Sequence, residues 1–472
     1  MATLKVFVNK TKNCVAFVES DLDFVDVLLS FLTLPVGTVV RLLNKQSSLG
    51  CVDKLYQGVE QIDEKYLATA ACKSMLTKPV NSSGVKCQKL KINIYGKGEL
   101  YTCTSEVCSY RALSYYSNLE CHCGSVMHRA ISYDLYQDCD NHEELHGVFI
   151  KGVKFAVTDD LSVSLIGHAM SSLNDCCNGD WRNMEERLVK IDKSQVLHIL
   201  KRSLVSDTPL TDVLLHNGKD ICPKFSVPSS VEKTVAIEAF DKEKKIYRIK
   251  LALAGNKVLY AEAGRDFVDV IFSILTFPLG ALKKHMGSRF KIACLNNLYG
   301  SVERLASSGY VVEGYEETLL NPKLPPYFNC KHQVIGVSVE KEQLYYACDY
   351  RCKLSSTRYY CSSPGHSGRK AKRAQLIDPK TSSEGLDFPE GSFCKELTYM
   401  VSDELVVTPF SFTSVISLHR QISDPIKIAE LVIDKEEVVD LLDAALSSST
   451  ALTDAFFARA NAALGLIDEK GE

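Results

Sequence analysis

An α+β fold in two homologous tandem domains is what this 472-residue sequence predicts. Each domain is expected to have a β-hairpin start, apolar helices, a cysteine-containing β-ribbon and a C-terminal helix. Three observations carry this. An internal repeat aligns residues 23–60 with 266–303 at an offset of 243, with 15 identities in 38 positions. Near the ends of the copies, Ile191–Leu215 matches Ile433–Phe457 at an offset of 242, with 11 identities in 25. Finally, strand-like and helix-like segments alternate without the regular βαβ period or a glycine-rich phosphate turn. A repeat this long is a tandem domain; solenoid units run about 20–50 residues.

The elements follow in order. LKVFV (Leu4–Val8) and CVAFVE (Cys14–Glu19) alternate around the polar run NKTKN, predicting a hairpin. Phe24–Thr33 reads as a helix that Pro35 ends or follows with a second, and CVDKLYQGVEQI as a further helix. KLKINI (Lys89–Ile94) and GVFIKGVKFAVT (Gly147–Thr158) read as strands, and SQVLHILKRSL as an amphipathic closing helix. Residues 1–216 form the first copy, with a ribbon at about 89–130. A linker rich in proline, serine and charge spans 217–247. Residues 248–472 form the second copy, with a variant cysteine segment at about 344–373.

Composition narrows the function classes. With 46% hydrophobic and 24% charged residues the chain is neither disordered nor fibrous. A net charge of −3 provides no global field for nucleic acid or an anionic membrane. The uncharged runs after Asp26 and Asp269 hold 14 and 13 residues, short of the about 20 a membrane span needs, so they read as buried helices. Met1–Lys12 lacks the apolar stretch of a secretory start. The expected location is intracellular, cytoplasmic or nuclear, with the 18 cysteines reduced or metal-bound.

DFVDVLLSFLTLPVG (Asp23–Gly37) returns as DFVDVIFSILTFPLG (Asp266–Gly280), CVDKLYQGVE as CLNNLYGSVE, and VTDDLSV as VSDELVV. Together with ECHCGSVM and a closing LTD, this pattern resembles the plant domain-of-unknown-function 674 family, over nearly the whole chain. The resemblance implies a tandem layout and no known activity. The second copy departs from it in lacking the CxCG element.

Cys103, Cys108, Cys121 and Cys123 are spaced C-x4-C-x12-C-x-C. Two close pairs a dozen residues apart suit tetrahedral zinc on a small ribbon, with Gly124 allowing a tight turn beneath the ion. The plain alternative is free, partly buried thiols. Four thiolates would fill the coordination shell and make the site structural. The second copy offers Cys348, Cys352, Cys361 and His366, either a variant zinc site or a lost one. Beside it Arg369, Lys370, Lys372 and Arg373 form a basic run, a candidate nucleic-acid contact or import signal, or else a solvated loop.

Enzyme signatures are thin. His142-Glu143-Glu144-Leu145-His146 is a literal HExxH, the pattern of a zinc-dependent hydrolase. Gly147 and a strand-like stretch follow it, and no third ligand stands at metzincin spacing, so a polar connection between strands is the expected reading. Asp23 and Asp26, repeated as Asp266 and Asp269, read as helix-start carboxylates favoured by the helix dipole. Cys176-Cys177 reads as structural. No P-loop, GxGxxG or GxSxG is present. The expected function is therefore a non-enzymatic interaction or scaffold protein with a structural zinc ribbon and an unidentified protein partner. RNA or nucleic-acid binding through the basic run is the alternative, and hydrolysis at HEELH a distant third.

Overall fold

In ATLKVFVN every second residue is apolar, so an extended conformation buries Leu4, Val6 and Val8 on one face. This strand, β1 (Ala2–Asn9), pairs antiparallel with β2 (Cys14–Ser20) across a turn in which Asn13 takes a φ of +50°. The computed structural model of the chain describes residues 2–95, 99–105, 108, 112–133, 147–152, 154–167, 181–216, 246–331, 333, 335–347, 353–355, 370, 372–381 and 391–465. It contains helices and several β-sheets, the α+β class the sequence predicts.

The chain introduces its remaining strands in two matching series. The first is β3 (Leu100–Thr102), β4 (Ala112–Ser114), β5 (Arg129–Tyr133), β6 (Phe155–Thr158), β7 (Val163–Leu165) and β8 (Met184–Ile191). The second comprises β9 (Tyr247–Ala254), β10 (Lys257–Gly264), β11 (Tyr345–Ala347), β12 (Lys353–Ser355), β13 (Lys372–Leu376), β14 (Thr398–Ser402), β15 (Val407–Pro409) and β16 (Lys427–Ile433). One antiparallel sheet has the order β7-β6-β2-β1-β8, and the other β15-β14-β10-β9-β16. With β1 set against β9 and β2 against β10, the two orders are the same.

The repeated DFVDxxxSxLTxPxG segment lies where the halves meet, and each of its fixed letters has a physical reason. Helix Leu22–Ser30 runs into a 3₁₀ turn at Phe31–Thr33, as Arg265–Ser273 does at Ile274–Thr276. Ser30 donates to the Val27 carbonyl at 2.6 Å and Thr33 to that of Ser30 at 2.8 Å. Ser273 and Thr276 do the same at 2.7 and 2.8 Å. These bonds back onto residue i−3 and tighten the helix end. Pro35 and Pro278 then form a β-bridge across the halves, with Val36 N donating to Phe277 O and Leu279 N to Leu34 O, both at 3.0 Å. A Cβ on Gly37 would stand 2.7 Å from Leu76 O and 3.0 Å from Leu275 O. On Gly280 it would stand 2.6 Å from Leu319 O and 3.0 Å from Leu32 O. Only glycine lets the backbones approach this closely.

Around this local two-fold each half sends a helix onto the other half's sheet. Helix Val52–Gln61 starts at Cys51, which donates its N–H to Ala445 O and its thiol to Ser448 O; its Gly58 lies against Val406. Reciprocally, in helix Ala293–Ser307 Cys294 gives its thiol to Ser206 O, while Ser301 accepts from Val163 N at 2.8 Å. One hydrophobic cluster runs through both halves, from Leu4 to Phe456.

The carboxylates within the motif do different work from that expected. Asp23 does lie in the first helical turn, where it pairs with Lys91 at 2.5 Å. Asp26 is the fifth residue of its helix, 2% exposed, and accepts backbone N–H bonds from Val148, Phe149 and Ile150. Asp269 holds Phe393 N and Cys394 N in the same way. Among the described residues of Gly147–Thr158 only Phe155–Thr158 is a strand of a sheet: Asp26 takes the N–H groups of Val148, Phe149 and Ile150, and Ile150 makes an isolated bridge to Val311. Lys89–Ile94 is not a strand either. Its alternation buries Leu90, Ile92 and Ile94 in the common core without a β-partner.

The cysteine segments close into one body, which the sequence did not suggest. β3, β4 and β5 of the first half and β11, β12 and β13 of the second form a six-stranded closed barrel, order β11-β12-β5-β3-β4-β13. Its two seams are parallel: Lys353 and Leu354 face Ser132 and Tyr133, while Gln375 and Leu376 face Ala112 and Leu113. Leu100, Leu113, Ile131, Tyr345, Leu354 and Leu376 fill its interior.

Candidate metal centre

The barrel positions the first-copy cysteines. Cys103 directly follows β3, Cys108 lies in the β3–β4 connection, and Cys121 and Cys123 stand on a turn between β4 and β5. That turn is closed by a bridge between Glu120 and Val126, by Cys121 N donating to Ser125 O at 2.9 Å and by Gly124 N donating to Cys121 O at 2.8 Å. Gly124 has a φ of +79° and open space at its Cβ position, so the backbone turn itself requires glycine there.

The four sulfurs lie within 4.8 Å of one another, and no disulfide joins them. Cys103 Sγ is 3.4 Å from Cys123 Sγ, and Cys108 Sγ is 3.6 Å from Cys121 Sγ. Tetrahedral bonds of about 2.3 Å put sulfurs about 3.8 Å apart, so the cluster can hold a metal ion. Among the described residues it is the one group of three or more metal-binding side chains gathered this closely. Cys103 and Cys121 are fully buried beside Ala71, Ala112, Leu119, Met127 and Ile377; Cys108 is half-buried and Cys123 exposed. Burial holds the Cys103 and Cys121 thiols above the usual range. A backbone hydrogen bond from Ser125 brings Cys123 down to about 6. Ser105 N also donates to Cys103 Sγ at 3.4 Å. A cation bound here would displace protons from the buried thiols.

The remaining candidates fare differently. Cys348, Cys352, Cys361, His366 and Arg369 lie outside the described residues, as do His142, Glu143, His146, Cys176 and Cys177. Lys372 and Arg373 stand on a barrel strand, a correction to their expected place in a loop. Ala374 and Leu376 point into the barrel core, and that alternation puts Arg373 on the outer face; Lys372, the first residue of the strand, is exposed at its end. Lys370, in a β-bridge, is exposed as well. Two contributors were missed at the sequence level: Ile377, which completes the apolar shell from the second half, and Ala71, from helix Ala70–Thr77. No spacing rule links either to the cysteines.

Comparison with known proteins agrees with the family resemblance. The model of a family described as "Protein of unknown function (DUF674)" matches residues 1–428. No curated protein and no solved structure matches the chain. No helix among the described residues is long and apolar enough to cross a membrane. Matched across both copies of the motif and through the four-cysteine segment, the chain belongs to the DUF674 family, proteins of unknown function.

Proposed function

We propose that this chain, an internal duplication of one unit (1–216 and 248–472), is a non-enzymatic, intracellular interaction protein whose first-copy cysteines hold a structural zinc ion. The convergence of Cys103, Cys108, Cys121 and Cys123 supports this reading. A quartet of thiolates prefers zinc among the common cytosolic divalent ions. Four protein ligands leave no position for an activated water, so the ion's part is to hold the ribbon in shape for a protein partner. Metal analysis of protein purified without chelator is expected to find about one zinc per chain, as a closed four-ligand site requires. Cys121→Ser combined with Cys123→Ser is expected to lose most of it. Zinc-free wild-type protein, or a double variant that keeps its zinc, overturns the assignment.

A second reading, single-stranded nucleic acid as the partner, is favoured by one observation. On the barrel's outer face Arg373 pairs directly with Tyr346, and the neighbouring residues Lys370 and Lys372 in the chain are exposed. Basic side chains beside an aromatic ring suit phosphates and stacked bases. Oligonucleotide binding in low salt is expected to weaken with salt and to vanish when Lys370, Lys372 and Arg373 are changed to glutamate. No binding at low salt removes this reading.

A further inference from the structure

We infer that the metal at the cysteine quartet acts as a clamp between the two halves of the chain, closing a barrel that neither half completes. This rests on the metal-binding reading above, and the observations that add to it are the seams. All four sulfurs belong to the first half, yet the strands they fix are paired on their outer edges by the second half. Cys103 continues β3, whose Thr102 faces both Leu113 of β4 and Arg129 of β5, and the Cys121–Cys123 turn joins β4 to β5. An ion held by these sulfurs therefore sets the spacing of β4 and β5, the two strands that receive β13 and β12.

The seams are weak by themselves. Each consists of two residue pairs, and strands of three to five residues around a small interior fall short of what holds an isolated sheet. Small cores of this kind need a staple, and a thiolate-bound ion is one of the few available. Contact across the clamp is direct. Ile377 of the second half packs in the apolar shell of Cys103 and Cys121, and its N–H donates to Leu113 O at 3.0 Å, extending the β4–β13 seam up to the metal centre. The proline bridge and the exchanged helices lie elsewhere and do not depend on the ion. Removing the metal therefore opens the barrel and leaves the two five-stranded sheets folded.

Hydrogen exchange on the full-length chain, stripped with chelator and then titrated with zinc chloride, tests this. Zinc is expected to slow exchange about tenfold or more in β12 and β13 of the second half as well as in β3–β5, with β1, β2, β9 and β10 unchanged. Zinc bound at one per chain with protection confined to residues 99–131 overturns the clamp and leaves the metal site standing. No zinc binding overturns both. Reciprocity supplies a second arm. Leu376→Ala, which keeps every cysteine, is expected to weaken zinc affinity in a chelator competition by about five- to a hundredfold, within the usual range of site-to-site coupling. Leu354→Ala is expected to do the same from the opposite seam. Wild-type zinc affinity in both variants overturns the proposal.

Discussion

Replacing Gly280 with alanine is expected to cost about 3 kcal/mol of stability, at the upper end of overpacking penalties. The new methyl would stand 2.6 Å from Leu319 O and 3.0 Å from Leu32 O. Both obstacles are backbone carbonyls, which cannot swing aside as a flexible side chain can. They are also fixed from both sides, because the Pro35–Pro278 bridge and its two 3.0 Å hydrogen bonds lock the halves at this point. Gly37, with clearances of 2.7 and 3.0 Å, is expected to behave alike. Gly84 serves as the control: its nearest neighbour is 3.8 Å away, and Gly84→Ala is expected to be neutral or slightly stabilising. Urea midpoints for the three variants decide the matter. If Gly280→Ala and Gly84→Ala unfold together, the close approach of the two halves is not what constrains the motif.

Asp26→Ala is expected to be at least as damaging, for a different reason. Its carboxylate gathers three backbone N–H groups from Val148, Phe149 and Ile150, and Gly147 is glycine because a Cβ there would collide with Asp26 Oδ2. Removing the acceptor strands buried donors at about 1–3 kcal/mol each, so a total of about 3 kcal/mol or more is expected. The same residue brings a pH dependence whose sign follows from burial. Burial raises the Asp26 carboxyl from 3.8 to about 7, against the opposing pull of the three N–H bonds, and Asp269 to about 6. A carboxyl with a raised folded-state pKa binds its proton more tightly folded than unfolded. Its stabilisation is complete below about pH 4 and is lost as pH rises towards 7. Denaturant midpoints from pH 5 to 8 should therefore fall less steeply in Asp26→Asn than in wild type. Equal slopes would show that Asp26 does not titrate in this range.

Local order was readable from the sequence wherever local chemistry sets it. The first hairpin, the Pro35 break and the buried helices stand where alternation and apolar runs place them, and the cysteine quartet converges as its spacing suggests. Features set by distant partners were not readable. Asp26 looked like a helix-start carboxylate because the loop that needs it lies about 120 residues away. Lys89–Ile94 alternates like a strand, yet burial alone explains the pattern. The barrel has no signature, since its closure depends on β12 and β13 meeting β5 and β4 of the opposite half. One clue was present: an aspartate preserved in the middle of an otherwise apolar helix in both copies points to a buried task, since a capping role belongs in the first turn.

The parallel seams also shape the order in which the protein is made. β5 ends at Tyr133 and its partner β12 begins at Lys353, some 220 residues later. At ribosomal speeds this separation lasts on the order of ten to forty seconds. Over that interval the nascent first half presents two open strand edges and a helix, Val52–Gln61, whose partners Val406, Ala445 and Ser448 have not yet been synthesised. Such a chain is exposed to edge-to-edge aggregation during translation, and chaperone capture of the emerging polypeptide is the physiological answer that this topology calls for.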